Sequence, residues 1–405
     1  MKTKMEIINK IVFIAFFAAV LFVAGCATYP NRYPLPEEHK DAAQIPYIPD
    51  ARFWGDELPP HILERLEEER IQIQLKEPEA KNKPIDYLAL SGGGGDGAFG
   101  AGLLVGWTAA GNRPEFRAVS GISTGALTAP FAFLGPGYDE VLRELYTTTS
   151  TDEIIKRRSF TAMINSDSVN DNSPLRQLVS KVINGAMLER IAIEHKKGRR
   201  LFIGTTNLYA KRPVVWDVGA IAASGATNAL ALVRDVLIAS AAIPGLFPPV
   251  YVKVEANGQV FDELHVDGGV ASQVFLYAVS LDLRWMEQQI GLTGEDRIFV
   301  IRNSQLDPKW TPVKPTMLPI MESSIETLIR TQGIGDLYRI YLGAQRDDLD
   351  YHLAYIPSDF DERPSELFDP EYMKKVFDLG FELAKDGYPW EKTPPGLTPP
   401  TKKGP

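Results

Sequence analysis

The stretch LALSGGGGDGAFGAGLL, residues 88–104, restricts the possible folds more than any other part of the chain. It begins like a strand and ends like a helix of small residues, and seven glycines lie between Gly92 and Gly102. A glycine turn of this kind presents backbone N–H groups at the start of a helix, where anions bind. The turn can therefore hold a nucleotide phosphate or the oxyanion of an acyl-transfer intermediate, and the acidic Asp96 in its middle needs an explanation.

Apolar strand patterns alternate with helical patterns through the middle of the chain. Because strands interleaved with helices form sheets covered by helical layers, the sequence predicts an α/β architecture with a mostly parallel sheet. We predict strands at 85–91, 116–122, 200–208, 213–218, 259–267 and 297–303. We predict helices at 98–110, 124–134, 138–147, 174–183, 228–241, 321–345 and 365–386, with a leading charged helix from His61.

The second predicted strand runs into Gly121-Ile122-Ser123-Thr124-Gly125, a GxSxG sequence followed by a helix of small residues. In this context the motif is typical of a nucleophile elbow, where Gly121 and Gly125 leave room for a sharp turn around the serine. The helix that follows would favour negative charge near its N-terminus. Ser123 is therefore the candidate nucleophile, although a non-catalytic turn flanked by glycines can have the same sequence.

A serine hydroxyl needs a base, and the sequence FDELHVDGGV offers Asp267 at the end of a predicted strand. Gly268 and Gly269 would let another backbone come close to that carboxylate. Asp-Gly is also a common turn sequence, so this motif alone does not establish a catalytic role.

Together, these stretches resemble the patatin-like lipid acyl hydrolases over roughly residues 85–269. The resemblance is carried by the glycine loop Gly92 to Gly97, the elbow Gly121 to Gly125, and Asp267-Gly268-Gly269, in the order that the family has. It is supported by SPLRQLV from Ser173, TTNLYAKRPVVW from Thr205 and IASAAIPGLFPPV from Ile238.

The resemblance implies a three-layer α/β/α patatin-like fold with a mostly parallel central sheet. It also implies a Ser123–Asp267 dyad that hydrolyses carboxylic ester bonds of lipids, with phospholipids the expected class and with no metal and no organic cofactor. The oxyanion hole would consist of backbone N–H groups from Gly92, Gly93, Gly94 and Gly95. Candidate acyl-pocket residues are Phe131, Phe133, Leu246 and Phe247, each of which could equally belong to the core.

Asp96 departs from this family's pattern, because members commonly carry Arg or Lys at that position. A carboxylate that points inward would oppose the oxyanion. We therefore expect Asp96 to point away and to cap or brace the following helix, as Asp does near helix N-termini. The alternative is a slow enzyme, or one with unusual substrates.

Three other functions are compatible with parts of the sequence. Gly95 to Gly100 satisfies GxGxxG, but Glu115 is a poor ribose partner and no Walker Gly-Lys-Ser/Thr follows, so nucleotide binding is not predicted. His352 has the correct chain order for an α/β-hydrolase Ser-Asp-His triad, or it is an ordinary histidine in a strand. His265 would be a local hydrogen-bonding partner or a surface group. A lipoprotein that binds lipid without catalysis is the third alternative.

The N-terminus has the order of a secretory signal, with lysines, an apolar run over 11–25, and then Cys26. Val23 to Cys26 resembles a bacterial lipobox, which implies signal peptide 1–25 and lipidation of Cys26, the only cysteine. We predict a proline-rich tether over 26–60, a catalytic domain over 61–387 with its motif core at 85–270, and a proline-rich tail over 388–405. Ala27 favours the outer membrane of the bacterial envelope over the inner one.

Composition limits the partners of the protein. The 405 residues are 44% hydrophobic, which is enough for a full core, and the net charge is −9. An acidic chain without a basic surface is not expected to bind nucleic acid. The expected partner is a membrane lipid or lipid ester.

Overall fold

The computed structural model describes residues 32–76, 84–159, 166–278, 281–292 and 294–397. The predicted signal peptide, Cys26 and residues 398–405 of the predicted tail lie outside these ranges. The described strands are β1 (Arg52–Trp54), β2 (Ile85–Leu90), β3 (Ala118–Gly121), β4 (Lys156–Arg157), β5 (Asn170–Asp171), β6 (Arg200–Asn207), β7 (Arg212–Asp217), β8 (Val250–Ala256), β9 (Gln259–Asp267), β10 (Asp296–Arg302) and β11 (Asp350–Tyr355).

The described α-helices are α1 (Ile62–Lys76), α2 (Gly97–Ala109), α3 (Thr124–Leu134), α4 (Asp139–Thr148), α5 (Thr151–Ile154), α6 (Ser173–Val182), α7 (Gly185–Lys196), α8 (Val218–Ala223), α9 (Ala229–Ser240), α10 (Leu283–Ile290), α11 (Met317–Arg346) and α12 (Pro370–Lys385). The sequence predictions do not include β8, β11, α7 or α10, nor the shorter elements β1, β4, β5, α5 and α8. β8 has a visible signal, because its VYVKVEA alternates between buried and more exposed residues.

The main sheet has a parallel centre in the order β6-β3-β2-β10-β11. On the far edge of β6, β7 and then β1 pair antiparallel, and the hairpin of β8 and β9 joins β6 antiparallel. Since the carboxyl ends of parallel strands meet at one edge of the sheet, the loops after β2, β3 and β10 converge there.

Helices cover both faces of this sheet. Leu88 and Leu90 of β2 belong to one hydrophobic core, which α2, α3, α9 and α12 complete, whereas Tyr87 and Ala89 belong to a second core with α10 and α11. This division follows from the alternation of side chains along a strand. The predicted three-layer α/β/α fold is confirmed, and its mixed sheet is mostly parallel.

The later glycines of the opening stretch serve helix packing. A Cβ on Gly102 would lie 2.0 Å from the carbonyl oxygen of Phe377, and one on Gly106 would lie 2.3 Å from that of Phe381. Only glycine permits α2 and α12 to approach this closely. The glycine-rich stretch therefore combines a turn with a helix-packing surface.

The described part of the predicted tether, residues 32–60, is packed on the body rather than extended away from it. Ile45 and Ile48 are buried, β1 pairs with β7, and both terminal nitrogens of Arg52 contact the buried carboxylate of Glu263. The apolar residues of this segment are isolated between prolines, so no periodic pattern predicts their burial. Their partners come from distant parts of the chain.

The described part of the predicted tail, residues 388–397, also packs on the body. The Trp390 ring lies 4.9 Å from the Trp107 ring and 5.0 Å from the Phe299 ring. Leu353 and Glu391 exchange two backbone hydrogen bonds of 2.8 and 3.0 Å. Proline-rich composition indicated a loose segment, but the aromatic side chains between the prolines supply enough apolar surface to hold it.

Candidate active site

Ser123 occupies a sharp turn between β3 and α3. Its backbone has φ 55° and ψ −123°, a left-handed conformation that is uncommon for serine and is found where a turn is strained. A Cβ on Gly121 would lie 2.4 Å from the carbonyl oxygen of Gly125, and one on Gly125 would lie 2.4 Å from that of Leu90. The two motif glycines are therefore sterically required for a turn with the geometry of a nucleophile elbow.

The sheet brings Asp267 to this turn. β3 pairs with β6 at residues 200–203, while β9 pairs with β6 at Thr205 to Asn207. Because β7 occupies the other edge of β6, β3 and β9 share one edge and meet end to end. Ser123 follows the end of β3 and Asp267 closes β9, so the hydroxyl and the carboxylate face each other although they are far apart in the sequence.

The Asp267 carboxylate accepts a 2.7 Å hydrogen bond from the Gly269 N–H, and the nearby Ser123 hydroxyl also acts to lower the pKa of Asp267. Burial raises the pKa of Asp267 to about 6, and the Gly269 N–H and the Ser123 hydroxyl oppose the rise only in part. A carboxylate with a raised pKa is a better proton acceptor than an ordinary one while it is still ionised at neutral pH.

Ser240, a residue that the sequence did not single out, holds the elbow from behind. Its hydroxyl donates to the carbonyl of Gly204 at 2.6 Å and accepts from the Ser123 N–H at 3.0 Å. The Asp267 N–H donates to Ala242 in the same IASAAIPG stretch. This stretch therefore braces both residues of the candidate dyad.

The glycine loop lies directly beside the elbow, since a Cβ on Gly92 would lie 3.2 Å from the Cβ of Ser123. The Gly92 N–H, however, donates to the carbonyl of Gln273 at 3.1 Å. Within the described ranges, the N–H groups of Gly93, Gly94 and Gly95 have no acceptor. Of the four glycines predicted for the oxyanion hole, these three are the available donors, and Gly92 has a structural hydrogen bond instead.

Gln273 connects the two loops of the site and was not found from the sequence. Its backbone carbonyl accepts from Gly92, and its side-chain amide donates to the carbonyl of Gly269 at 2.7 Å. Its own N–H donates to the carboxylate of Asp336 at 2.7 Å. A buried amide with these bonds fixes the glycine loop relative to the Asp267 turn.

Asp96 braces the C-terminal helix and does not cap α2. Its carboxylate accepts a 2.6 Å hydrogen bond from the Tyr372 hydroxyl, and it makes no capping bond to the N-terminus of α2. The expected bracing role therefore holds with α12 as the partner, whereas the expected cap is wrong. Burial raises the pKa of Asp96 to about 6, although Tyr372, Arg302 and Lys309 all act to lower it.

Arg302, at the carboxyl end of β10, places a buried positive charge near this carboxylate. Burial lowers the pKa of Arg302 to about 10, while Asp336 and Asp96 favour its charged form. The next residue, Asn303, clamps the glycine loop, because its side chain donates to Ser91 and accepts from Gly100. The local positive charge thus comes from the end of another strand, which the linear sequence could not indicate.

Neither candidate histidine reaches the dyad. His352 lies on β11, three strand positions from β3, which at about 4.8 Å per strand is roughly 14 Å. Its ring contacts the carboxylate of Asp350. His265 is fully buried and hydrogen-bonds to Thr205 and Glu263, which confirms the local bonding role and excludes a surface position. No triad is assembled among the described residues.

An apolar cavity that is open to solvent adjoins the elbow and the glycine loop. Gly94 of the glycine loop and Thr124 of the elbow line it, and Phe131 is the one predicted acyl-pocket residue that lines it. Phe133, Leu246 and Phe247 lie elsewhere. The rest of the wall includes residues of several helices and of the loop before α12, namely Leu127, Leu145, Leu178, Val182, Leu237, Phe368 and Met373.

Comparison with known proteins gives a family match and similar solved structures. Residues 88–279 match the family model described as patatin-like phospholipase, and no curated protein matches the chain. The crystal structure of VipD from Legionella pneumophila is similar at 12% identity and a TM-score of 0.37, over 75% of this chain and 66% of VipD. At these values the likeness to VipD carries no argument, and the chain covers just under two thirds of that protein. Residues 88–279 of the chain therefore form a patatin-like phospholipase domain, which indicates a lipid hydrolase.

Proposed function

We propose that the protein hydrolyses carboxylic ester bonds of membrane lipids, with phospholipids the expected class, by a Ser123–Asp267 dyad. The observation that carries the proposal is the placement of the Ser123 hydroxyl beside a buried carboxylate of raised pKa, next to an apolar cavity. The strained backbone at Ser123 supports it, because such strain is common at catalytic positions.

In the proposed reaction, Ser123 Oγ attacks the ester carbonyl carbon while its proton passes to Asp267. The N–H groups of Gly93, Gly94 and Gly95 are placed to donate to the resulting oxyanion, and one such donor contributes about 3 kcal/mol in other acyl-transfer enzymes. Collapse of the intermediate breaks the bond to the alcohol, which takes the proton from Asp267, and leaves an acyl-enzyme. Water then gives a proton to Asp267 and attacks the acyl carbon, and the fatty acid departs as the Ser123 hydroxyl is restored.

The dyad is tested with Ser123→Ala, Asp267→Asn and His352→Ala, assayed on a soluble short-chain ester and on phospholipid vesicles. We expect the first two variants to lose at least about 10³-fold in kcat, because acid–base and nucleophilic groups act as a unit. His352→Ala is the matched control and should keep its activity. Hydrolysis that survives Ser123→Ala would refute the proposal, and loss in His352→Ala would favour a triad.

A fluorophosphonate probe tests the same site without a natural substrate. The probe should attach to the peptide that contains Ser123, and Asp267→Asn should slow the labelling. A folded protein that binds lipid but takes no label and hydrolyses no ester would instead be the non-catalytic lipoprotein.

The cavity is proposed to hold the acyl chain of the substrate. Leu127 lies on its wall, is only partly buried, and can be enlarged without disturbing the elbow. Because an indole would fill part of the cavity, we expect Leu127→Trp to lower kcat/KM for long-chain esters by roughly tenfold or more, the upper range for pocket discrimination. Short-chain esters should be hydrolysed at nearly the wild-type rate. Equal losses for both chain lengths would place the acyl chain elsewhere.

We further propose that the mature protein lies in the bacterial cell envelope, where a lipid on Cys26 anchors it to a membrane, with the outer membrane preferred. This rests on the lipobox-like sequence before Cys26 and on Ala27 after it. Mass spectrometry of the mature N-terminus should find acyl chains on Cys26. An unmodified Cys26, or a retained signal segment, would contradict the proposal.

A further inference from the structure

The N-terminal part of α11 and the loop before it expose an unusual amount of apolar surface. Trp310 is 95% exposed, Met317 71% and Leu328 68%. Val313, Ile320, Met321, Ile325 and Ile329 are exposed as well. We call this set, residues 310–329, the apolar ridge. Contiguous exposed apolar surface of this kind marks an interaction site in a soluble domain.

The helical part of the ridge is one face of α11. Its exposed apolar positions, 317, 320, 321, 325, 328 and 329, recur at the one-, three- and four-residue intervals that keep side chains on one side of a helix. The opposite side carries Ser323, Glu326 and Arg330. From 317 to 329 this face is about 20 Å long at the rise of an α-helix.

The other half of the same helix behaves differently. Leu337, Ile340, Tyr341 and Ala344 are buried in the second core. A single helix therefore packs its C-terminal half and leaves the apolar face of its N-terminal half without a partner among the described residues. Since burying such a face is favourable, we expect a binding partner to cover it.

The ridge adjoins the catalytic loop. The Gln332 side chain donates to the carbonyl of Val270, three residues after Asp267, and a Cβ on Gly333 would contact the Arg302 guanidinium at 2.6 Å. The ridge therefore ends within one turn of helix of the residues that contact the site. An occupant of the ridge would lie beside the dyad.

The loop before α11 carries basic residues beside the exposed tryptophan. Residues 308–321 contain Lys309 and Lys314 and no carboxylate, although Asp307 precedes them, Glu322 and Glu326 follow on the helix, and the whole chain carries a net charge of −9. Lys309 also bonds to Asp361 on the protein surface, so Lys314 is the cation of this stretch without a described partner. Exposed Trp and Lys beside an apolar helix face are the composition of helices that lie in the interface of a bilayer, where lysines meet anionic headgroups.

The orientation of α11 on a bilayer follows from its length and composition. No described helix is long and apolar enough to cross a membrane. With Ser323 and Glu326 on the side opposite the ridge, α11 would lie in the plane of the interface, its apolar face towards the acyl chains and its polar face towards the protein and water.

We infer that the apolar ridge docks on the surface of an anionic lipid bilayer and holds the Ser123–Asp267 site against it. This is a contact of the protein body with the membrane, separate from a lipid on Cys26. The inference concerns where the lipid substrate enters the site, and so it rests on the proposed hydrolysis. Binding of the protein to the bilayer can nevertheless be measured without turnover.

Quenching of tryptophan emission tests the contact. The full chain and its Trp310→Phe variant are placed on phosphatidylcholine–phosphatidylglycerol vesicles whose acyl chains carry bromine. We expect the wild type to lose emission that Trp310→Phe does not lose, and this difference to vanish in Ile325→Glu/Leu328→Glu. The absence of any difference between wild type and Trp310→Phe would overturn the inference, whether or not the protein hydrolyses lipid.

Hydrolysis of vesicle phospholipid provides a second test of the contact. Ile325→Glu/Leu328→Glu should hydrolyse vesicle phospholipid roughly tenfold more slowly than the wild type, since two charges oppose insertion of the apolar face, and a soluble short-chain ester at nearly the wild-type rate. The matched control is Val141→Glu/Ile193→Glu, which adds the same charge at exposed apolar positions on α4 and α7 and should leave both rates unchanged. Equal vesicle hydrolysis in the two double variants would overturn the inference.

A second copy of the chain is the other occupant that the test distinguishes. Light scattering would then show wild-type dimers that Ile325→Glu/Leu328→Glu dissociates, while quenching by brominated lipid is absent. That combination would also overturn the inference, because the ridge would bind protein instead of the bilayer.

Discussion

The pKa of Asp267 predicts an acid limit on activity that an ordinary aspartate would not give. Burial raises this pKa from 3.8 to about 6, which corresponds to about 3 kcal/mol against the charged form at about 1.36 kcal/mol per unit. In the proposed mechanism, Asp267 can accept the serine proton only when it is ionised. For a single group of pKa about 6, the ionised fraction falls from about nine tenths at pH 7 to about one eleventh at pH 5.

The measurement is kcat/KM against pH on a soluble short-chain ester, which reports the free enzyme and avoids the charge of a lipid surface. We expect a one-proton fall of about tenfold between pH 7 and pH 5. An aspartate with a pKa near 3.9 would lose less than about a tenth of its activity over the same interval.

Asp96 also has a pKa of about 6, so the two carboxylates must be distinguished. Asp96→Asn keeps an acceptor for the Tyr372 hydroxyl and removes only the second titration. This variant should retain the inflection near pH 6 if Asp267 is the base. An inflection that disappears in Asp96→Asn, or activity that stays level to pH 5 in the wild type, would refute the assignment.

Three further predictions concern stability. Asp96→Asn should raise the free energy of unfolding in urea by up to about 3 kcal/mol at pH 8. This gain should shrink below pH 6, where the wild-type carboxyl takes up its proton, and a gain that is independent of pH would contradict the raised pKa of Asp96. Gly125→Ala should lower Tm and abolish activity, because its Cβ would lie 2.4 Å from a backbone oxygen, whereas Gly137→Ala, which meets nothing within 4 Å, should do neither. Arg52→Met should cost about 3–5 kcal/mol by leaving the Glu263 carboxylate buried without its arginine partner, and an unchanged unfolding midpoint would show that the N-terminal segment is not integral to the fold.

The sequence by itself determined the α/β class, most of the long strands, and the local geometry of both motifs. These follow from neighbours in the chain: alternating apolar residues form strands, and glycines at 121 and 125 permit the sharp turn that places Ser123 at its tip. The patterns could not predict the packing of residues 32–60, whose apolar residues find their partners only in the folded protein.

Only the tertiary structure decided which groups meet. Ser123 and Asp267 face each other because β3 and β9 share one edge of β6, a pairing that no local pattern specifies. Long-range packing also explains why the Asp96 carboxylate bonds to the Tyr372 hydroxyl and why the Gly92 N–H donates to Gln273. It likewise places His352 three strands from β3. Residue types and turns are set by near neighbours, whereas distances across a sheet depend on strand order, which hydrogen bonding between remote segments determines.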